Sequence, residues 1–130
     1  MAENPKITKE TKILNIGHLP GHTNGKVDVL KAGGFENSHA FCMTEEGTTI
    51  ESIKEELRNS PHSLFIVGGA MNSSYPDLMK ELNEFIAAEV PSIIVHNTTG
   101  ADFPPGTTYP PSQDIVNDSA LTIANRYLSV

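Results

Sequence analysis

The sequence predicts an α/β fold, a single small doubly wound parallel sheet of about four strands in a flavodoxin-like three-layer sandwich. Short apolar runs alternate four times with helical patterns along the 130 residues. The most apolar run, SLFIVGGAM at 63–71, is typical of a central strand covered on both faces. Such alternation implies parallel pairing through right-handed crossovers. By analogy with flavodoxin-like sheets, we expect the strand order 2-1-3-4.

The first strand and helix are predicted from residues 12–34. KILNIG at 12–17 is a short apolar run stopped by glycine, which indicates a buried strand. The segment NGKVDVLKAGG favours a short helix, with Thr23 or Asn24 as its N-cap. Gly33 or Gly34 would close that helix in the left-handed region of backbone space.

The second strand and helix follow at 38–57. SHAFCMT at 38–44 is less apolar, as expected of a strand at a sheet edge. Thr48 stands three residues before Glu51, the spacing of a capping box. Helical spacing then predicts one apolar face, formed by Ile50, Ile53 and Leu57.

The second half of the chain repeats the pattern. Ser74 followed by Pro76 announces a helix, whose predicted buried stripe is Leu78, Leu82, Phe85 and Ile86. PSIIVHN at 91–97 predicts the fourth strand. A proline-rich loop at 98–111 leads to Ser112 and a last helix. The predicted inner side of that helix is Val116, Ala120, Ile123 and Tyr127.

The length and net charge of the chain limit its domain organisation and the classes of partner it can bind. We expect one domain over 12–130, preceded by a flexible polar tail at 1–11. A net charge of −7 repels nucleic acid and anionic lipid, so neither is an expected partner. Residues 1–12 contain no apolar stretch, which predicts a cytoplasmic protein with no signal or membrane span. A short sheet with exposed edges leaves a homodimer open.

A ligand site is predicted at the carboxyl edge of the sheet, where the strand order reverses. The loops 17–25, 68–74 and 97–109 should converge there. They are rich in glycine, hydroxyl and amide groups, which let a ligand approach the backbone and fix its orientation. The candidate ligand-binding residues are Gly17, His22, Thr23, Asn24, Gly68, Gly69, Ser73, Asn97, Thr98 and Thr99.

The segment GHLPGHTNGK at 17–26 does not fit the known nucleotide loops. In a P-loop the first glycine would fall on Pro20, and the residue after Lys26 would carry a hydroxyl, whereas it is Val27. Glycines at 17, 21 and 25 are spaced by four, which excludes the dinucleotide fingerprint. We therefore predict no cofactor. The start of the first helix, with Lys26 nearby, still suits a phosphate or carboxylate.

The histidines and one acidic pair supply the catalytic candidates. His18 is the best acid/base candidate near neutral pH. Glu45 follows the second strand on the same edge, where it either polarises a substrate or pairs with His18, or faces water as a turn residue before Gly47. A zinc site from His18, His22 and His96 is disfavoured, because a spacing of four suits a helix face and this stretch contains Pro20. No metal is predicted.

Three segments carry a resemblance to known proteins: FCMTEEG, LFIVGGAMNSSYPDLMKELNEFIAAEVP and IIVHNTTGADF. With them, residues 12–103 resemble a set of small doubly wound, flavodoxin-like or receiver-like proteins of bacteria and fungi to which no activity is assigned. The resemblance implies the fold, and it implies that VGGAM and HNTT form the working edge. The proline-rich insertion at 104–111 is distinct, and a lid there would bring Phe103 or Tyr109 to a ligand.

Two functions remain open at this point. The first is a binding protein or enzyme for a small anionic metabolite, with His18 as the acid or base. The second is a non-enzymatic, receiver-like interaction or dimerisation module. A receiver needs a phosphoacceptor aspartate at the end of the third strand, where this chain has VGGAM.

Overall fold

The computed structural model describes residues 7–18, 20–108 and 111–128, with the backbone alone at 20–22. The strands are β1 (Ile13–Gly17), β2 (Ser38–Cys42), β3 (Leu64–Val67) and β4 (Ile94–Asn97). The helices are α1 (Pro20–Ala32), α2 (Ile50–Arg58), the short α3 (Met71–Ser74), α4 (Pro76–Glu89) and α5 (Gln113–Tyr127). A 3-10 turn at Gly100–Asp102 follows β4.

The four strands form one parallel sheet in the order β2-β1-β3-β4, which confirms the predicted fold class and topology. Ile13 of β1 pairs with Ser38 of β2 on one side and with Leu64 of β3 on the other. In β4, Ile94 pairs with Leu64, so the carboxyl ends of the strands meet at one edge. Each crossover is a helix, as parallel neighbours require.

Helices cover both faces of the sheet, because alternate residues of each strand point to opposite sides. Leu14, Ile16, Phe65 and Val67 pack with α2 and α4 in one buried cluster. Ile13, Leu64 and Ile66 pack with α1 and α5 in the other. All four residues of β3 are fully buried, which explains why its run is the most apolar in the chain.

Helix α1 differs from the prediction at its start. It begins at Pro20, so most of the segment predicted as a loop at 17–25 is helix. Proline suits the first helical position, where its missing N–H loses nothing. Thr23 and Asn24 therefore lie inside the helix rather than capping it. The predicted closure is confirmed, because Gly34 has a φ of 101° and follows the helix.

Several element boundaries also differ from the prediction. The capping box of α2 is formed by Thr49 and Ser52, one residue later than the predicted Thr48 and Glu51. Met79 is buried in α4, whereas Leu78 is only partly buried. Strands β2, β3 and β4 are shorter than predicted, because their ends turn into loops at the sheet edges. Ser112 caps α5 as predicted.

The predicted polar tail contains one core residue. Ile7 is 2% exposed and packs in the cluster between the sheet and α5. Its N–H donates to the carbonyl of Tyr127 at 2.8 Å, beside a parallel bridge to Leu128. The expectation of a flexible segment over 1–11 therefore does not hold for the part around Ile7, while residues 1–6 lie outside the described residues.

A close contact sets the position of α1 on β1. A Cβ atom added to Gly17 would lie 2.5 Å from Cγ2 of Thr23, which is itself buried. Because Cγ2 is a branch at the Cβ of threonine, it cannot swing away without a change of rotamer. Glycine at 17 therefore allows the first turns of α1 to lie directly against the end of β1.

We expect Gly17→Ala to lower the free energy of unfolding by about 1–3 kcal/mol, because the added methyl overpacks this contact. Thr23→Ser removes only Cγ2 and keeps the hydroxyl, so the double variant should recover most of the loss. Urea unfolding of the three variants measures both effects. Equal losses in the single and double variants would contradict the contact.

Candidate functional site

A cavity of about 440 Å³ opens at the carboxyl edge of the sheet. It lies beside the ends of β1, β3 and β4, where the order reversal between β1 and β3 separates the helices that follow them. Helices α1 and α5 supply the remaining wall. The lining residues are Gly17, His18, Thr23, Lys26, Gly68, Gly69, Ala70, Met71, Thr98, Thr99, Gly100, Phe103, Pro111 and Val116.

The lining is mainly apolar and contains few polar side chains. Met71, Phe103 and Val116 supply apolar surface, and glycines expose backbone at the ends of β1 and β3. Lys26 is the only Lys, Arg, Asp or Glu among the described residues of the lining. This combination of apolar wall and few polar groups is typical of a site for a small molecule.

Lys26 is the least expected feature of the cavity. Lys26 is 4% exposed and lies on the inner side of α1. Among the described residues, no carboxylate oxygen lies within ion-pair distance of its amine and no hydrogen bond engages it. Burial lowers the pKa of Lys26 from 10.5 to about 8. The folded protein therefore holds a buried amine that lacks a counter-charge within its described part.

Thr98 lies on the cavity lining and carries a second polar group without a partner. It is 7% exposed, and its Oγ1 has no hydrogen-bond partner in the described structure. Its backbone N–H donates to the carbonyl of Val67 at 2.9 Å, which fixes the residue beside β3. A buried hydroxyl without a partner is unfavourable, so a ligand atom that bonded it would remove a penalty of about 1–3 kcal/mol.

His18 lies at the exposed rim of the cavity. Its Nδ1 shares a hydrogen bond of 2.6 Å with the hydroxyl of Tyr75, which stands between α3 and α4. The two rings are in contact, with centroids 5.6 Å apart. This contact holds the imidazole in one orientation, as an acid/base group requires.

A buried network fixes the wall that contains Thr98 and Thr99. The carboxylate of Asp102 accepts hydrogen bonds from the Thr99 N–H at 2.9 Å, from Arg126 at 2.6 Å and from His96 Nε2 at 3.1 Å. Burial raises the pKa of Asp102, but these three donors together outweigh it and hold that pKa below its ordinary value.

The network continues to the end of α5. Because Asp102 accepts from Nε2, a neutral His96 ring accepts at Nδ1 from the hydroxyl of Tyr127, 2.8 Å away. Burial, with the nearby Asp102 carboxylate, raises the pKa of Tyr127, so this hydroxyl keeps its proton. The network therefore ties the 3-10 turn after β4 to the last turn of α5.

The structure brings together seven of the residues predicted for the site. These lie on the cavity lining: Gly17, His18, Thr23, Gly68, Gly69, Thr98 and Thr99. Phe103, predicted as a ligand contact of the proline-rich loop, also lies on the lining, while Tyr109 is outside the described residues.

Four predicted residues lie elsewhere. Asn24 is exposed on α1, and Glu45 is exposed in the turn after β2. The predicted pairing of Glu45 with His18 is replaced by the contact between His18 and Tyr75. Ser73 donates to the carbonyl of Ala70, and exposed Asn97 accepts from the Asn72 amide at 3.1 Å. The side chain of His22 lies outside the described part of the chain.

Sequence reasoning placed Lys26 beside the site but did not place its amine inside the cavity. The position of the amine was missed because the predicted helix began after Thr23 or Asn24, whereas α1 begins at Pro20. From that start, Thr23, Lys26 and Leu30 recur at helical spacing and share the buried face. The partners of Asp102 had no sequence signal, because Arg126 lies 24 residues away along the chain.

Comparisons with protein-family models, curated sequences and solved structures give no match to this chain. Within residues 7–18, 20–108 and 111–128, no group of three or more His, Cys, Asp and Glu side chains is placed to hold a metal ion. No helix in these ranges has the length and apolar character needed to cross a membrane.

We expect Lys26→Met to raise the free energy of unfolding near pH 7, and the gain to shrink as the pH rises above 8. The folded chain releases the Lys26 proton near pH 8, whereas the unfolded chain keeps it to about 10.5, so wild-type stability rises with pH between these values. The full difference is about 3 kcal/mol. Urea unfolding below pH 8 and near pH 10 measures the difference in free energy of unfolding between Lys26→Met and the wild type. A difference that is independent of pH would contradict the burial of a charged amine.

Proposed function

We propose that this protein binds a small anionic metabolite in the cavity, with Lys26 as its counter-charge and Thr98 as a hydrogen-bond donor. The observation that carries the proposal is the buried amine of Lys26, which has no charged partner among the described residues. A carboxylate or phosphate oxygen of the ligand supplies the charged partner that the Lys26 amine lacks among the described residues. The apolar part of the ligand packs against Phe103 and Val116.

The energetics favour an anion over a neutral ligand. A buried charge without a partner is strongly unfavourable, and an opposite charge at hydrogen-bond distance offsets that penalty. The attraction is also stronger in an apolar cavity than in water, because the local dielectric is lower. The net negative surface does not oppose this, since the only formal charge on the described lining is positive.

The volume and lining of the cavity determine which kind of ligand it can hold. A volume of about 440 Å³ is within the range of small-molecule sites, roughly 300–1,000 Å³. One lysine and one unpaired hydroxyl suit a single anionic group rather than several phosphates. We infer a metabolite with one anionic end and a compact apolar body. If the bound molecule reacts, His18 is the group at the rim that can transfer a proton.

A thermal-shift experiment on four proteins tests the proposal. They are the wild type, Lys26→Met, Thr98→Val and the control Lys31→Met, which makes the same substitution on the exposed side of α1. The ligands are short-chain and aromatic carboxylates, phosphate monoesters and the neutral amides of the same acids. A ligand at about 100 times its dissociation constant stabilises the folded state by roughly 2.7 kcal/mol.

We expect anions to raise the melting temperature of the wild type and of Lys31→Met, and the neutral amides to leave it unchanged. Lys26→Met should lose the shift, and Thr98→Val, which replaces the hydroxyl by a methyl of similar size, should reduce it. Without ligand, Lys26→Met should melt above the wild type, because it removes a buried charge. Equal shifts in Lys26→Met and the wild type, or none with any anion, would contradict the proposal.

A further inference from the structure

We propose that the ligand is a small 2-oxo acid with an apolar side chain, and that the Lys26 amine adds to its ketone carbon to form an imine. This inference rests on the proposed function, since it takes the same cavity and the same counter-charge. It adds a chemical step and narrows the ligand to one class.

The surroundings of Lys26 are those of a nucleophilic amine. Lys12 pairs with Glu56 at 2.5 Å and Lys54 pairs with Glu81 at 2.7 Å, so each of these amines has a carboxylate partner. The described lining around Lys26 has no carboxylate and is mainly apolar. A lysine that is desolvated in an apolar pocket is a recognised route to an activated amine.

Burial also changes how much of the amine is neutral. With a pKa of about 8, roughly a tenth of Lys26 is unprotonated at pH 7. That fraction is on the order of 100 times larger than for a lysine of ordinary pKa. The cavity geometry brings a ligand to this amine, and the neutral fraction allows the amine to react.

A 2-oxo acid fits both unpaired groups of the cavity. Its carboxylate is attached to the ketone carbon, so an acid held by the Lys26 charge places an electrophilic carbon beside the same nitrogen. The protonated imine that results is again cationic and lies next to that carboxylate, so the charge pair is restored at the end of the step. The Thr98 hydroxyl can donate to a carboxylate oxygen, and the side chain of the acid meets Phe103 and Met71.

The step needs no further reactant. Lys26 first releases a proton to water, and its lone pair forms a bond to the ketone carbon while the C=O π electrons move to oxygen. Proton transfer from nitrogen to that oxygen gives a neutral carbinolamine. The hydroxyl then takes a second proton, from water or from His18 on the same lining, and leaves as water. The nitrogen lone pair forms the C=N bond, which leaves a protonated imine.

Reductive trapping tests the inference. The wild-type protein is incubated near pH 7 with 2-oxobutanoate or phenylpyruvate and sodium cyanoborohydride, which reduces the imine to a stable secondary amine. Intact mass and peptide mapping locate the label. The added mass is that of the oxo acid less one oxygen atom. Matched proteins are Lys26→Arg, which keeps a cation but cannot form the imine under these conditions, and Lys26→Met.

We expect a single label on Lys26, roughly tenfold or more above that on exposed Lys31, because the cavity holds the oxo acid beside an amine whose neutral fraction is larger in the free protein. A saturating 2-hydroxy acid, which has the carboxylate but no ketone, should suppress the labelling of Lys26 and not that of Lys31. Both Lys26 variants should lose the label, whereas Lys31→Met should keep it.

Labelling of Lys26 no higher than that of Lys31 with both oxo acids would overturn the imine step. The same would follow if the 2-hydroxy acid failed to compete. In either case, a thermal shift with carboxylates that depends on Lys26 would leave the proposed function standing. Absence of both the label and the shift would overturn the two proposals together.

Discussion

The parallel pairing of β1 with both β2 and β3 is the constraint on which the rest of this structure depends. Because the chain leaves β1 toward one neighbour and β3 toward the other, α1 and α4 must cover opposite faces of the sheet. The faces are filled by apolar clusters, but the helices diverge at the carboxyl edge. The cavity lies at that edge, and the close approach of Gly17 to Thr23 lets α1 lie against the end of β1 beside it.

Two polar groups on the cavity lining lower the free energy of unfolding of the ligand-free protein. Lys26 holds an amine in an apolar environment, and Thr98 holds a hydroxyl without a partner. Asp102 differs from both, because its carboxylate accepts hydrogen bonds from Thr99, Arg126 and His96. The hydrogen bonds of Asp102 are complete and fix the wall, whereas Lys26 and Thr98 lack partners among the described residues. Local destabilisation of this kind is characteristic of binding and catalytic sites.

Periodicity and fold-level rules predicted the sheet order and the edge at which the cavity lies. They succeeded because apolar runs and crossover handedness act over the whole chain, so β3 was recognisable from SLFIV alone. They failed where one residue decides the outcome. Pro20 moved the start of α1 and brought Lys26 to the inner face, and Tyr75 engaged His18 in place of Glu45. The contact of His18 with Tyr75 joins residues far apart in sequence, which no local pattern encodes. The position of Lys26 follows from local helical spacing once α1 begins at Pro20.

The central claim is that Lys26 is a buried amine awaiting an anionic partner. The most direct measurement is an NMR titration of the Lys26 side chain, followed through its ¹³Cε and ¹⁵Nζ shifts and assigned with Lys26→Arg. The account predicts a pKa of about 8 in the free protein, rising when a carboxylate ligand is added. A pKa near the ordinary lysine value of about 10.4, unchanged by any anion, would contradict it.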